Sequence, residues 1–274
     1  MTFEAVSQPV CARHPDRVTY VLCHRCGNGI CPECMVSAPV GFQCRDCVRA
    51  NRVHMVGPFK PRVTYGIIIA CVAIQVLGIL GIGTNSGFVD EFSLFPGRVA
   101  ALGEYYRFIT AIFIHAGWLH LGMNMIMFWA MGRTLEHVLG HWKFLALFLL
   151  AGIGGAEASY WFNEPLSVGI GASGAIFGLF AATFVFGREA RINTQEIITV
   201  IGLNLALGFL IPGVDWHAHV GGLVAGGIVG WALLPTRKPT LRVGIPVLFL
   251  FVLGALTQIR TQELLTYLAT VFHN

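Results

Sequence analysis

The sequence predicts an all-α membrane protein with a small metal-binding domain at its N-terminus, and three observations carry that prediction. Of 274 residues, 55% are apolar and only 12% charged, which is too apolar for a soluble globular domain. The apolar residues gather into seven runs long enough, or nearly so, to cross a hydrocarbon core of roughly 30 Å as helices. Seven of the eight cysteines lie within residues 1–63, ahead of the first run.

The cysteine-rich head comes first in the chain. Its ligand pairs are Cys11 with His14, Cys23 with Cys26, Cys31 with Cys34 and Cys44 with Cys47, each separated by two residues. Eight ligands suffice for two tetrahedral zinc ions, and a segment this small folds poorly without metal. A disulfide scaffold is the competing reading. It is disfavoured if the head faces the cytoplasm, where thiols stay reduced. The spacing resembles a B-box-type zinc finger, which implies a cross-brace of Cys11, His14, Cys31 and Cys34 on one ion and Cys23, Cys26, Cys44 and Cys47 on the other. Sequential pairing stays open. The arginines form no run, so no nucleic acid is expected, and a structural site for contacts with a cytoplasmic protein partner is favoured. Residues 1–55 are read as this domain, 56–63 as a linker and 64–262 as the membrane domain.

The expected spans are about 64–83, 118–136, 142–162, 172–187, 195–212, 217–235 and 241–259. The polar N-terminus has no secretory signal pattern. Residues 84–117 form a long connection, and loops of such length are usually functional. Arg49, Arg52, Lys60, Arg62, Arg133, Lys143, Arg188, Arg191, Arg237, Lys238 and Arg242 all fall on one side if the N-terminus is cytoplasmic. The positive-inside rule then puts the C-terminus outside a multi-pass plasma-membrane protein. The seventh run shows no polar residue apart from its ends and reads as a packing helix.

Ser173 and His219 stand at the starts of the fourth and sixth spans, both just below the outer face. An intramembrane His is a functional-site candidate by default, and beside a serine it suggests peptide-bond chemistry. Gly174 and Gly178 on one span, and Gly222 and Gly226 on the other, form small-xxx-small pairs that let helix backbones approach closely in lipid. Ordinary membrane packing is the bland alternative. A third group shifts the balance. His120 and Asn124 are four residues apart on one face of span two, at the same depth, with His115 close before them. Both can donate to an oxyanion, as can the Ser173 amide at a helix N-terminus. A transporter or channel would need polar residues through the full depth, whereas these cluster near one face.

Taken together, Gly171-x-Ser173-Gly174, Ala218-His219-x-Gly221-Gly222-x-x-x-Gly226 and His120-x-x-x-Asn124 resemble the rhomboid intramembrane serine proteases over roughly residues 60–262. Gly132 and Glu136 fit as well, and so does Arg107, with Tyr106 where the family's first loop usually has Trp. The resemblance implies a six-helix core plus one C-terminal transmembrane helix. It also implies a Ser173–His219 dyad without a carboxylate, an oxyanion site of His120, Asn124 and the Ser173 amide, and transmembrane proteins as substrates within the lipid bilayer. Phe177 stands where the family often has Tyr stacked on the histidine. Asp215 is expected not to orient the imidazole. Span five and the Pro212-Gly213 turn would form the movable wall through which a substrate enters. No cofactor is implied for catalysis. The alternative is a rhomboid-like binding or quality-control factor that does not cleave.

Overall fold

In the N-terminal unit, tight turns wrap around cysteines instead of around a large apolar core. The computed structural model describes residues 9–37, 42–50, 59–81 and 87–272. Arg52, residues 56–58 of the expected linker, the end of the first expected span (82–83) and Asn274 lie outside the described residues. Contacts divide the chain into two units, Met1–Lys60 and Pro61–Asn274. In the first, β1 (Met35–Ser37) and β2 (Phe42–Cys44) pair antiparallel with Met35 opposite Cys44, and α1 (Arg45–Ala50) follows. Isolated bridges join Val10 to Val18 and Leu22 to Gly29. The buried cluster is Ile30 with Cys11, Cys23, Cys31 and Cys34. Thr19 Oγ1 donates to the Ile30 carbonyl across it at 2.8 Å.

The second unit is helical. Its elements are α2 (Arg62–Ile79), α3 (Phe88–Phe92), α4 (Pro96–Leu102), α5 (Arg107–Thr110), α6 (Trp118–Leu139), α7 (His141–Phe162), α8 (Ser173–Glu189), α9 (Gln195–Leu210), α10 (Trp216–Leu233) and α11 (Pro239–Phe272). Each of the seven apolar runs corresponds to one long helix: α2, α6, α7, α8, α9, α10 and α11. By length and apolarity alone, α2, α7 and α11 could each cross a membrane, and α6 joins them if the segment Arg107–Phe113, bent by 95° against it, counts in the same span. Helices α8 and α9, of 17 and 16 residues, are shorter, and α10 matches α2 in length at 18 residues but carries two histidines and five glycines. In α8 and α10 many positions go to glycine and polar residues that face other helices instead of lipid.

Two features go beyond the expected spans. The long connection is not irregular: α3, α4, α5 and a 3₁₀ turn at Ala111–Phe113 fill most of it. The last helix also runs well past residue 259, for 34 residues in all, or roughly 51 Å at 1.5 Å per residue. Nothing after Gly254 breaks a helix, because Ala255–Phe272 lacks both Gly and Pro. A helix satisfies its own backbone, so it can leave hydrocarbon without unwinding.

Helix α10 packs tightly on α8 and α7 because glycines remove the side chains between them. A Cβ on Gly222 would run into the Gly174 backbone, and one on Gly226 into that of Gly178. On its other side, Gly154 and Gly155 of α7 meet Ala225 and the Ala218 carbonyl. Phe128, Phe144, Phe148, Leu147 and Leu179 fill the adjoining core. Elsewhere Glu136 caps a helix: its carboxylate accepts from the Val63 and Thr64 amides and the Thr64 hydroxyl at 2.9, 2.8 and 2.6 Å. Those amides belong to the first turn of α2, where the N–H groups have no intrahelical acceptor.

Candidate active site

Ser173 is the first residue of α8, so its side chain projects from a helix start and its amide has no intrahelical acceptor. The segment before it is pinned: Gly171 N–H donates to the Ala111 carbonyl at 2.9 Å, and Leu94 and Gly169 exchange two backbone hydrogen bonds of 2.9 Å. His219 lies in the first turn of α10, and its Nε2 is 2.9 Å from Ser173 Oγ. The close approach of α8 and α10 at Gly174 and Gly222 makes that distance reachable. Phe177, one turn beyond Ser173, stacks on the imidazole with centroids 4.4 Å apart and planes 18° apart. His219 Nδ1 is buried with no hydrogen-bond partner among the described residues. Gly208 of α9 faces it, where even a Cβ would lie 3.2 Å from Nδ1. Asp215 makes no bond to the imidazole, and its carboxylate caps α10 by accepting from Ala218 N–H at 3.1 Å.

The two residues open on a cavity of about 510 Å³, which His120, Asn124 and Phe177 also line. Ala116 N–H donates to His120 Nδ1 at 3.3 Å. That bond makes Nδ1 the acceptor and leaves the proton on Nε2, since a neutral imidazole carries one of each. Gly171, at φ +114°, makes room for this ring: a Cβ there would lie 2.9 Å from His120 Nε2. Asn124 Nδ2 donates one hydrogen to the His120 carbonyl at 2.9 Å and keeps a second. Pro212 and Gly213 line the same cavity. His115 does not. It is buried, packs edge-on against His120 at 5.1 Å and lies 3.3 Å from the Phe113 carbonyl. Of the two histidines, His120 therefore lines the cavity and His115 backs it.

Arg107 stands apart from the cavity. It is fully buried and holds the long connection together, bonding Glu104 at 2.6 Å and the Asp90 and Ser93 carbonyls at 2.9 and 2.6 Å. Sequence reasoning missed a polar group at one end of α7. Glu157 accepts from Trp161 Nε1 at 3.0 Å and lies 2.8 Å from Thr257 Oγ1, while Tyr160 and Thr261 share a bond of 2.8 Å. These contacts give α11 specific polar ties, so it is more than a greasy packing helix. A carboxylate inside an apolar run was the signal that could have found them.

In the head, the ligand atoms form two sets, Cys11-His14-Cys31-Cys34 and Cys23-Cys26-Cys44-Cys47, each within 4.8 Å. The grouping is the cross-brace. Within the sets His14 Nδ1 lies 3.4 Å from Cys31 and Cys34 Sγ, and Cys26 and Cys44 Sγ are 3.8 Å apart. A tetrahedron with bonds of about 2.3 Å has edges of roughly 3.8 Å, so each set can hold a metal ion. The backbone N–H groups of Cys26 and Cys44 bring the Cys23 thiol down to about 6. In the same set the neighbouring Cys44, with burial, pushes the Cys47 thiol up to about 12. Four crowded thiols cannot all ionise without a cation among them, which is the balance a metal site requires.

A rhomboid domain model matches residues 102–236, the stretch that contains the cavity residues named above. The chain is 35% identical over 180 residues to the rhomboid protease GluP of Bacillus subtilis (strain 168), covering 64% of this chain and 35% of that protein. It is 30% identical over 142 residues to the rhomboid-type serine protease 2 of Emericella nidulans, covering 50% of this chain and 28% of that protein. With the putative rhomboid protease YdcA of Bacillus subtilis (strain 168) it shares 35% identity over 144 residues, 50% of this chain and 72% of the relative. By that coverage, and by the domain match across the same helices, the chain belongs to the rhomboid family.

Proposed function

We propose that this protein is an intramembrane serine endopeptidase that cleaves transmembrane segments of other membrane proteins with a Ser173–His219 dyad. The observation that carries the reading is the 2.9 Å contact between Ser173 Oγ and His219 Nε2 at the wall of a largely apolar cavity that His120 and Asn124 also line. The serine hydroxyl donates and Nε2 accepts, so the imidazole proton sits on Nδ1. As Ser173 Oγ attacks the scissile carbonyl carbon, its proton passes to Nε2. The carbonyl oxygen becomes an oxyanion within reach of three donors: the Ser173 amide, His120 Nε2–H and the second Asn124 Nδ2–H. The stacked Phe177 ring lies under the imidazolium that forms, where its π face favours the charge. Nε2–H then protonates the leaving amine, the C–N bond breaks and an acyl-serine remains. Water entering the cavity loses a proton to Nε2, attacks the acyl carbon and frees Ser173. Helix α9, with one buried residue, Gly208, and the Pro212-Gly213 turn form the side from which a substrate helix would enter.

The head is assigned two structural zinc ions and no part in the chemistry, with a cytoplasmic protein as its partner. Basic residues at the start of α2 and around the ends of α6, α8 and α10 support a cytoplasmic N-terminus, an extracytoplasmic C-terminus and residence in the plasma membrane. The division into a head of residues 1–55, a linker of 56–63 and a membrane domain of 64–262 has support from the contact boundary at Lys60 and Pro61.

The test uses purified protein and its Ser173→Ala form with a fluorogenic transmembrane peptide and a fluorophosphonate probe. The native chain should cleave the peptide and take the label, and Ser173→Ala should do neither. Peptide binding without turnover or labelling in the native chain would favour a non-cleaving binding factor instead.

A further inference from the structure

Asp215 makes no bond to the imidazole, yet its carboxylate is engaged on both oxygens. Oδ1 accepts from Ala218 N–H at 3.1 Å, and Oδ2 accepts from Ser159 Oγ–H at 2.5 Å. Ser159 is buried and itself accepts from Asn163 Nδ2 at 2.9 Å. His217 Nδ1 lies 3.8 Å from Oδ1. The result is a continuous polar chain from the last turns of α7, through Asp215, to the amide of the residue before His219. The carboxylate belongs to Asp215, which precedes α10, and the hydroxyl belongs to α7, so two residues 56 positions apart in sequence join the two helices.

We infer that Ser159 and Asp215 are positioning residues that set the placement of His219 against Ser173, acting through the first turn of α10 and without touching the imidazole. This rests on the reading of Ser173 and His219 as the reacting pair. A dyad without a third member has no side chain to fix the ring from behind, and His219 Nδ1 has no partner among the described residues. Phe177 restrains the ring by stacking on its face, leaving the translation of the helix start to be set elsewhere. Glycine contacts between α10 and its neighbours set how near the helices lie. They are not directional, and they permit sliding along the helix axis. A hydrogen-bonded cap is directional: it ties the Ala218 amide to a fixed point on α7, and His219 is the next residue. Its own amide lies 3.4 Å from the Asp215 carbonyl, so the first turn is held by backbone and side chain of one residue. Misplacement of a reacting group by about 1 Å can cost on the order of 100-fold in rate.

Three variants test this on the full-length protein, with peptide kcat, peptide KM, the rate of fluorophosphonate labelling at Ser173 and the melting temperature measured for each. Asp215→Ala should lower kcat and the labelling rate together by about 10- to 100-fold, with KM near native and only the modest drop in melting temperature that loss of one helix cap brings. Asp215→Asn keeps an acceptor for Ala218 N–H and can donate to Ser159 Oγ, so it should recover both rates to within about threefold of native. Ser159→Ala keeps the cap and cuts the tie to α7, along with the Asn163 bond within α7, and should fall between the two. Native kcat and labelling in Asp215→Ala would overturn the assignment. If Asp215→Ala does not fold, native rates in Ser159→Ala overturn it. Should Asp215→Asn be as slow as Asp215→Ala while still folded, the charge and not the cap is what matters, and the positioning role fails. A native chain that neither cleaves nor labels sinks the dyad reading itself, which the unmodified protein reports before any variant is made.

Discussion

The two units face the same problem, holding a few reactive atoms within hydrogen-bonding distance, and they solve it by opposite means. Among the described residues of the head little that is apolar is buried: Ile30 and four cysteines form the cluster, beside two ligand sets that can each hold a metal ion. In the membrane body the backbone itself is brought close. Gly174 meets Gly222 and Gly178 meets Gly226, with no side chain between the helices. The head spends side chains on ligands because so few residues cannot build a core. The body removes side chains because lipid gives helices no hydrophobic reason to associate, so close packing must supply it. With the ions proposed above, the first solution depends on a removable cation; the second depends on steric fit.

Breaking the chemistry of the body alone gives the largest effect. His219→Ala should lower kcat by about 10⁴-fold or more, with two metal ions per chain unchanged by elemental analysis. An active His219→Ala would remove the dyad from the account. Next come the oxyanion donors. His120→Ala and Asn124→Ala should each reduce kcat by about 10²- to 10³-fold with little change in detergent stability. Near-native kcat in both would mean that this face of α6 does not meet the oxyanion.

A smaller loss, of different origin, follows from disturbing the glycine packing. Gly226→Leu places a branched side chain against the Gly178 backbone and should cost about 3 kcal/mol of body stability, read as a lower unfolding midpoint in detergent, while metal content stays the same. If the midpoint does not move, close backbone approach is not what holds α8 to α10. The smallest effect is expected from the head. Chelation should strip its metal and expose its amides to hydrogen exchange, yet change cleavage of a short transmembrane peptide less than about twofold, as should deletion of residues 1–55. Collapse of peptide cleavage with the body still folded would show that the units are coupled.

Much of the body was legible because its signals are local. Span positions follow from runs of apolar residues, and the helix starts at Ser173 and Trp216 lie within a residue of the expected starts of spans four and six. The glycine pairs were legible because spacing by four puts both on one helix face. The C-terminal end of α11 was not, because apolarity reports where lipid ends and not where a helix does. The short helices of the long connection were missed for a related reason. They are too brief to show a period, and α5 is held by Arg107 bonds to carbonyls 14 and 17 residues earlier.

The sequence by itself determined which residue types stand at the helix starts, which helices carry bare backbone faces and which side chains can ligate a metal, since each depends on near neighbours in the chain. Only the tertiary structure decided which of these meet. It set Ser173 against His219, Gly208 over the imidazole, Ser159 on Asp215 and Thr257 beside Glu157. It also chose the cross-braced grouping of ligands over the sequential one. Such pairings join residues tens to a hundred positions apart. They are fixed by how helices rotate and slide to fill space, a quantity that no local pattern of residues encodes.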